Sequence, residues 1–266
     1  MAVAVDATEV TVARSQQEAI DAFGDGADVT VIAGGTIVMP DLAHGRLRPA
    51  RTLLLHAAGM SGVTTDGSRT TIGAMTPISE LEGLAAPLGA TAAGVADREI
   101  RAQATLGGNL CAPGGEESPR GDLQAALIAL GAEVRSTGAG GERSESVEDA
   151  LASGFAGRLV LDVSFDAPEA GARATVRRPH AHAYTVLAVC AARTGGGGGV
   201  RVAVSGAGAH GVRCPSVEAA FAGGDAEAAA ARALDDVTPH DDALASAWYR
   251  SQVLGVLVRR ALSDLS

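Results

Sequence analysis

The sequence predicts a mixed helix-and-strand protein built in two parts. Short apolar runs of strand length alternate with helix-start signals as far as Val163, and the segment Asp166 to Ala172 then interrupts the pattern with Pro168 and Gly171. Beyond it the pattern changes: two strand-like runs, Thr185 to Ala192 and Val200 to Ser205, flank five consecutive glycines, and a long helical stretch follows Asp241. A boundary near residue 170 is expected.

In the first part, Ser15 with Glu18 three residues on is a capping-box pattern for a helix through Phe23. Val29 to Ala33 reads as a buried strand running into Gly34-Gly35, Arg51 to His56 as a second strand and Thr70 to Ala74 as a third. Thr76-Pro77 offers an N-cap and a first-turn proline for a helix over Ile78 to Leu84. The small residues from Thr91 to Asp97 suit a tightly packed helix, and Ile100 to Thr105 leads into a second glycine pair, Gly107-Gly108. After a Pro- and Gly-rich loop over 112–121, Asp122 is placed to cap an apolar helix from Leu123 to Leu130. Gly131 to Arg135 then reads as a strand, Thr137 to Arg143 as a hairpin turn and Leu159 to Val163 as another strand. In the last helix Leu244, Trp248, Val253 and Leu257 share one approximate face and are expected to fill a core.

Composition narrows the chemistry. A chain of 266 residues that is 47% hydrophobic can fill more than one core. A formal charge of −10 disfavours a nucleic-acid partner. All 21 basic residues are Arg, which removes Schiff-base lysines and Walker-type phosphate sites. Cys111, Cys190 and Cys214 lack the spacing of an iron–sulfur or zinc motif, so no metal site is expected. No window reaches the roughly 18 apolar residues of a membrane span, and the start of the chain lacks a leader pattern, so a soluble cytoplasmic chain is expected.

The two glycine pairs carry the functional signal. Each ends a patterned run in a turn where main-chain N–H groups can approach an anion, flanked by Thr36, Thr105 and Asn109 as further donors. The first pair is not the G-x-G-x-x-G fingerprint of a nicotinamide fold, because Thr-Ile-Val-Met-Pro follows Gly35 and Pro40 is expected to interrupt an early helix. Two amide nests gripping one diphosphate remain open, beside the plain reading of each pair as a tight turn.

Four stretches taken in order resemble one family. Val31-Ile-Ala-Gly-Gly-Thr-Ile-Val-Met-Pro40, Thr71-Ile-Gly-Ala-Met-Thr76, Arg101-Ala-Gln-Ala-Thr-Leu-Gly-Gly-Asn-Leu110 and Arg120-Gly-Asp-Leu-Gln-Ala-Ala-Leu-Ile-Ala-Leu130 are similar to the FAD-binding medium subunits of molybdenum hydroxylases, the carbon monoxide dehydrogenase and xanthine dehydrogenase type. The resemblance implies an α+β fold. Its FAD-binding domain, of the vanillyl-alcohol-oxidase (PCMH) type, would span 1–168, with subdomains of about 1–58 and 59–168, and a small C-terminal α+β domain with an antiparallel sheet would span 173–266. It also implies FAD held at Ile32, Ala33, Gly34, Gly35, Thr36, Ile37 and Val38 of the first motif, whose amides face the diphosphate. Ala104, Thr105, Gly107, Gly108 and Asn109 would approach from the other subdomain, Asp122 would bond a ribose hydroxyl, and Leu159, Arg178 and Tyr184 would complete the site.

The implied function is electron transfer within a complex: from an iron–sulfur small subunit that works with a molybdopterin large subunit, through FAD, to an external acceptor. A heterotrimer or its dimer is the implied assembly. No catalytic acid or base is assigned. Two other readings stay open, a self-contained FAD oxidase or dehydrogenase and a scaffold that has lost FAD. Ala183 stands where such subunits carry an acid before an aromatic residue, and the loop from Cys111 to Glu117 is longer than in many of them. Arg177 is a second candidate for the positive charge assigned to Arg178, and Tyr184 is equally a packing residue. His180-x-His182 lacks a third metal ligand, and Asp122 serves equally as a helix cap.

Overall fold

The structure, a computed structural model, describes residues 9–112, 121–177, 184–195 and 199–265. The chain opens with β1 (Glu9–Val12), α1 (Gln16–Phe23), β2 (Val29–Ile32), α2 (Val38–Ala43) and β3 (Arg51–Leu54), and β3 lies between β1 and β2 in a parallel sheet. A variant of the capping box forms at α1: Ser15 Oγ accepts from Glu18 N at 3.1 Å, and the Glu18 carboxylate accepts from Arg14 N, one residue before the cap, at 2.7 Å. Pro40 does not stop the helix after Gly35. It occupies the first turn of α2, where its missing N–H would have had no intrahelical partner.

Next come β4 (Val63–Asp66), β5 (Arg69–Gly73), α3 (Ile78–Leu81), α4 (Leu88–Ala92), α5 (Arg98–Gln103), α6 (Leu106–Leu110), α7 (Gln124–Ala129), β6 (Glu133–Gly138), β7 (Arg143–Ser146), α8 (Val147–Ser153) and β8 (Arg158–Asp166). The strands form one antiparallel sheet in the order β4-β5-β8-β6-β7. Several expected boundaries move, each for a local reason. Thr76 caps no helix; its buried hydroxyl accepts from Gly62 N at 2.9 Å and donates to Gly62 O at 3.1 Å, and the N-cap position passes to Pro77. Gly131 does not begin a strand: at φ 63° it turns the chain out of α7, its N–H bonded to Ile128 O. The small-residue helix lies earlier than expected, at Leu88–Ala92.

The last part contains β9 (Pro168–Arg177), β10 (Thr185–Thr194), β11 (Val200–Ser205), β12 (Val212–Arg213), α9 (Pro215–Phe221), α10 (Ala226–Ala230) and α11 (Ala247–Ser263). The interruption expected from Asp166 to Ala172 is short, since β9 already begins at Pro168. The sheet order is β12-β11-β10-β9, all antiparallel. Thr185 to Ala192 is buried throughout, as a strand covered on both faces must be. Alternate residues divide between two cores: Leu187, Val189 and Ala191 pack with α11, whereas Cys190 and Ala192, with Ala203 of β11, join the core around α7.

Trp248 is not a core residue; it is 71% exposed on α11. The buried large side chain of that turn is Arg250, fully inaccessible and paired with the equally buried carboxylate of Asp242 at 2.7 Å. Its Nη1 also donates to His240 O at 2.6 Å and Ala245 O at 2.8 Å, tying the preceding loop to the helix. Removing one member of such a pair strands the other charge in the interior. Arg250→Leu is therefore expected to lower the unfolding free energy by about 3 kcal/mol, measured as a shift in the urea midpoint at unchanged slope.

Candidate functional site

A cavity of about 1050 Å³ lies where the parallel sheet, the five-stranded sheet and the C-terminal sheet meet. Its walls include Ala33, Gly34, Gly35, Thr36, Ile37 and Val38 around the first glycine pair and Ala104, Thr105, Gly107, Gly108 and Asn109 around the second. Asp122, Leu159 and Tyr184 also border it, although they stand far apart in sequence. Ile32, buried at the end of β2, does not border the cavity. Along β2 alternate residues face the cavity, Val29 and Val31 before Ile32 and Ala33 after it, so the Ile32 side chain turns to the interior. Arg178, His180, His182, Ala183 and the loop residues 113–120 lie outside the described residues.

The first turn leaves β2 and enters α2. Among the described residues, no hydrogen-bond acceptor faces the backbone N–H of Ala33, Gly34, Gly35, Thr36 or Ile37, so five consecutive donors border the cavity without protein partners. All five residues are half-buried, and consecutive amides turned toward a cavity form a nest in which a ligand's acceptors fit. Gly35 holds φ 73°, a conformation that a side chain strains.

The second glycine pair does not form the expected turn: Gly107 and Gly108 lie inside α6, whose N-cap is Thr105. Leu106 N donates to Thr76 O at 2.9 Å and Gly107 N to Ala74 O at 2.8 Å. Gly108 N donates to the Thr105 hydroxyl at 3.1 Å, and Asn109 N to Thr105 O at 2.9 Å. Its amides are thus satisfied within the protein, and the expectation of a second amide nest is replaced by a packing role. A Cβ on Gly107 would meet the Ala74 carbonyl at 3.0 Å. The Asn109 side chain accepts from Leu123 N at 2.9 Å, so it holds the start of α7. That bond also accounts for α7 starting without a side-chain cap from Asp122.

The two glycine pairs lie close together. A Cβ on Gly34 would lie 2.0 Å from the Gln103 carbonyl oxygen, so glycine here serves close backbone approach between β2's end and α5's end. A Cβ on Gly108 would stand 3.8 Å from that of Ala33. An ion pair on the rim, Arg46 with Asp41 at 2.7 Å, is exposed and contributes little to stability.

Sequence reasoning missed several groups that only tertiary contact reveals. Gln124 borders the cavity and straps three segments together: its Nε2 donates to Leu110 O at 2.9 Å, and its Oε1 accepts from Gly211 N at 2.8 Å. His210, beside Gly211 in the β11–β12 loop, also lines the cavity. Arg173 of β9, cross-strand from Cys190, reaches Thr185 Oγ1 at 3.5 Å, and its buried Nε has no partner among the described residues. Burial lowers its pKa, with Cys190 and Asp122 opposing that effect. Arg173 does not itself border the cavity; its alternation with Thr175 and Arg177 along β9 was the available signal, but strand period alone does not tell which face of the strand is covered.

The close approach at Gly34 and the looser one at Gly108 separate in mutants. Gly34→Ala is expected to destabilise the ligand-free protein by about 2 kcal/mol, because backbone must move. Gly108→Ala is expected to change it by less than about 1 kcal/mol, its nearest obstacle being the Thr105 hydroxyl at 3.0 Å. Denaturant unfolding of the two variants checks both.

Residues 6–165 match the family described as the FAD binding domain in molybdopterin dehydrogenase, and residues 172–265 match the CO dehydrogenase flavoprotein C-terminal domain. The 6-hydroxypseudooxynicotine dehydrogenase complex subunit alpha of Paenarthrobacter nicotinovorans is 28% identical over 280 residues, covering 96% of this chain and 93% of that protein. The fold matches a chain of Cu,Mo-CO dehydrogenase in its cyanide-inactivated form with a TM-score of 0.83 at 22% identity, covering 97% of each chain. It matches quinoline 2-oxidoreductase from Pseudomonas putida 86 with a TM-score of 0.81 at 20% identity, covering 97% of this chain and 96% of that one. With its α+β architecture and its cavity between glycine pairs, the chain belongs to the FAD-binding flavoprotein subunits of molybdenum hydroxylase-type dehydrogenases, a family of oxidoreductases.

Proposed function

We propose that this chain receives electrons from a partner iron–sulfur subunit and delivers them, through bound FAD, to an external acceptor. The observation that carries the reading is the row of five unsatisfied amides, Ala33 to Ile37, on a cavity of about 1050 Å³. Pockets for drug-sized ligands run to roughly 1000 Å³, so the space suits a dinucleotide. FAD supplies the redox chemistry when bound, and the protein supplies orientation and electrostatics.

In this reading the amides of Ala33 to Ile37 hold the diphosphate, with Val38 closing the turn. Ala104, Thr105, Gly107, Gly108 and Asn109 form the opposing surface. Asp122 accepts from a ribose hydroxyl, Leu159 packs against the cofactor, and Tyr184 contacts it from the C-terminal side; all three stand on the cavity wall. Arg178 supplies positive charge from the segment after β9, and the half-buried Arg173 supports the same role from behind Thr185.

The partners in this proposal are an iron–sulfur small subunit and a molybdopterin large subunit, in a heterotrimer or a pair of heterotrimers in the cytoplasm. Among the described residues no helix is long and apolar enough to cross a membrane. The proposed units are 1–168, divided near residue 58, and 173–266. Two observations support these bounds: among the described residues the strands fall into three separate sheets, the last beginning with β9 at Pro168, and β3 ends at Leu54 before β4 begins at Val63.

The purified chain is expected to be yellow and to release FAD on acid treatment. Saturation at a hundred times Kd is expected to raise its unfolding free energy by about 2.7 kcal/mol. A colourless protein that FAD neither reconstitutes nor stabilises overturns the cofactor assignment. Isolation from the native host without an iron–sulfur and a molybdopterin subunit, combined with direct flavin reduction by a small substrate, overturns the electron-transfer role.

A further inference from the structure

We infer that Gln124 is the positioning residue of the cavity: its side-chain amide locks three wall segments in register, so that cofactor binding and docking of the C-terminal sheet reinforce each other. The inference rests on the FAD reading but does not depend on which part of the cofactor lies where. Gln124 is 2% exposed and begins α7, whose other residues are all apolar. A buried amide is costly unless its polar atoms are paired, and a leucine would fill the same space without that demand. Both ends of this amide are paired, Nε2 donating to Leu110 O at 2.9 Å and Oε1 accepting from Gly211 N at 2.8 Å. A fully satisfied buried polar group fixes one arrangement of its neighbours, which an apolar side chain does not.

Glycine builds the slot around the amide on both sides. A Cβ on Gly121 would collide with the Gln124 amide, and one on Gly211 would fall 2.8 Å from Gln124 Cβ, so neither segment could come as close with a side chain. Leu110 closes α6, Asp122 stands two residues before Gln124, and His210 precedes Gly211; all three border the cavity, as Gln124 itself does. Asn109 Oδ1 adds a second tie between α6 and α7 by accepting from Leu123 N at 2.9 Å. The amide thus joins walls contributed by both parts of the chain.

Other polar ties of the C-terminal sheet lie off the cavity. Ala125 N donates to Ser205 Oγ at 3.2 Å, Arg201 Nε to Ile128 O at 3.1 Å and Arg201 Nη2 to Glu148 at 3.4 Å, and none of these residues borders it. These bonds dock the sheet, whereas the Gln124 bonds set the position in which docking completes the wall. A cofactor that touches both sides gains from walls already in register. By linkage, its binding strengthens the docking to the same extent.

The test titrates FAD, followed by quenching of its fluorescence, into three variants of the full chain whose folding circular dichroism verifies. Gln124→Leu keeps the packing but leaves Leu110 O and Gly211 N unpaired, and is expected to weaken FAD binding at least about tenfold. Ser205→Ala removes a docking bond away from the cavity and is expected to leave FAD affinity within about twofold, although it too lowers stability. Gln124→Glu supplies a pH readout. Its protonated carboxyl donates to Leu110 O and accepts from Gly211 N as the amide does, whereas the carboxylate only accepts and faces the Leu110 carbonyl. Its FAD affinity, taken relative to the unsubstituted chain at each pH, is expected to match at about pH 5 and to fall about tenfold by about pH 9 as the proton is lost. If Gln124→Leu does not fold, this ratio alone decides. Undiminished affinity in Gln124→Leu, an equal loss in Ser205→Ala, or a pH-independent ratio in Gln124→Glu overturns the inference and leaves the cofactor reading standing. Absence of FAD binding in the unsubstituted chain overturns both.

Discussion

The contact on which the rest of the molecule depends is the seating of the C-terminal sheet on α7. Beyond Gln124 at its start that helix is wholly apolar, and it is buried over its whole length, which a helix tolerates only when several layers cover it. The sheet meets it through small side chains, Cys190, Ala192 and Ala203, while the larger Leu187, Val189, Val202 and Val204 point to the helices behind. Small residues on one face let two layers come close without cavities, and large residues on the other fill a second core. Because β10 serves both cores, the two parts of the chain share a wall, and the cavity closes only when that wall is in place.

The two glycine pairs look alike in sequence and do opposite work. The second spends its amides on Ala74, Thr76 and Thr105 and becomes a fixed support. The first leaves its amides free of protein acceptors and is held by packing, with Gly34 pressed against the Gln103 carbonyl. A rigid support beside an unsatisfied strip is the arrangement that an anionic group requires. The strip alone would relax into the strand or helix on either side of it, whereas the support fixes its path before any ligand arrives.

Features encoded within a few residues were legible in the sequence. The Ser15–Glu18 box, the strands at Val29–Ile32 and Val200–Ser205 and the turn at Gly34-Gly35 follow from spacing and turn chemistry, whereas Gly107-Gly108 read as a turn and lie inside α6. Features set by contact between distant segments were not. Thr76 and Asn109 carry cap-forming side chains, yet both are drawn to partners fourteen residues away. Trp248 and Arg250 invert the ordinary preference for burial, because a buried carboxylate at Asp242 selects the arginine and the helix face leaves the indole outside. The cavity-bordering roles of Gln124 and His210 depend on a loop brought over from about ninety residues downstream, which no local pattern encodes.

The shared wall also sets an order of events during synthesis. Both glycine pairs and α7 leave the ribosome well before β10 and the β11–β12 loop, and chains are made and begin to fold from their N-terminus. A nascent chain ending before Tyr184 has the amide strip but lacks Tyr184, His210 and the strands that complete the sheet closing the cavity. Cofactor capture in its final geometry is therefore a step of the completed chain, taken after the last third has docked, and the apolar surface of α7 is what a chaperone would meet in the interval.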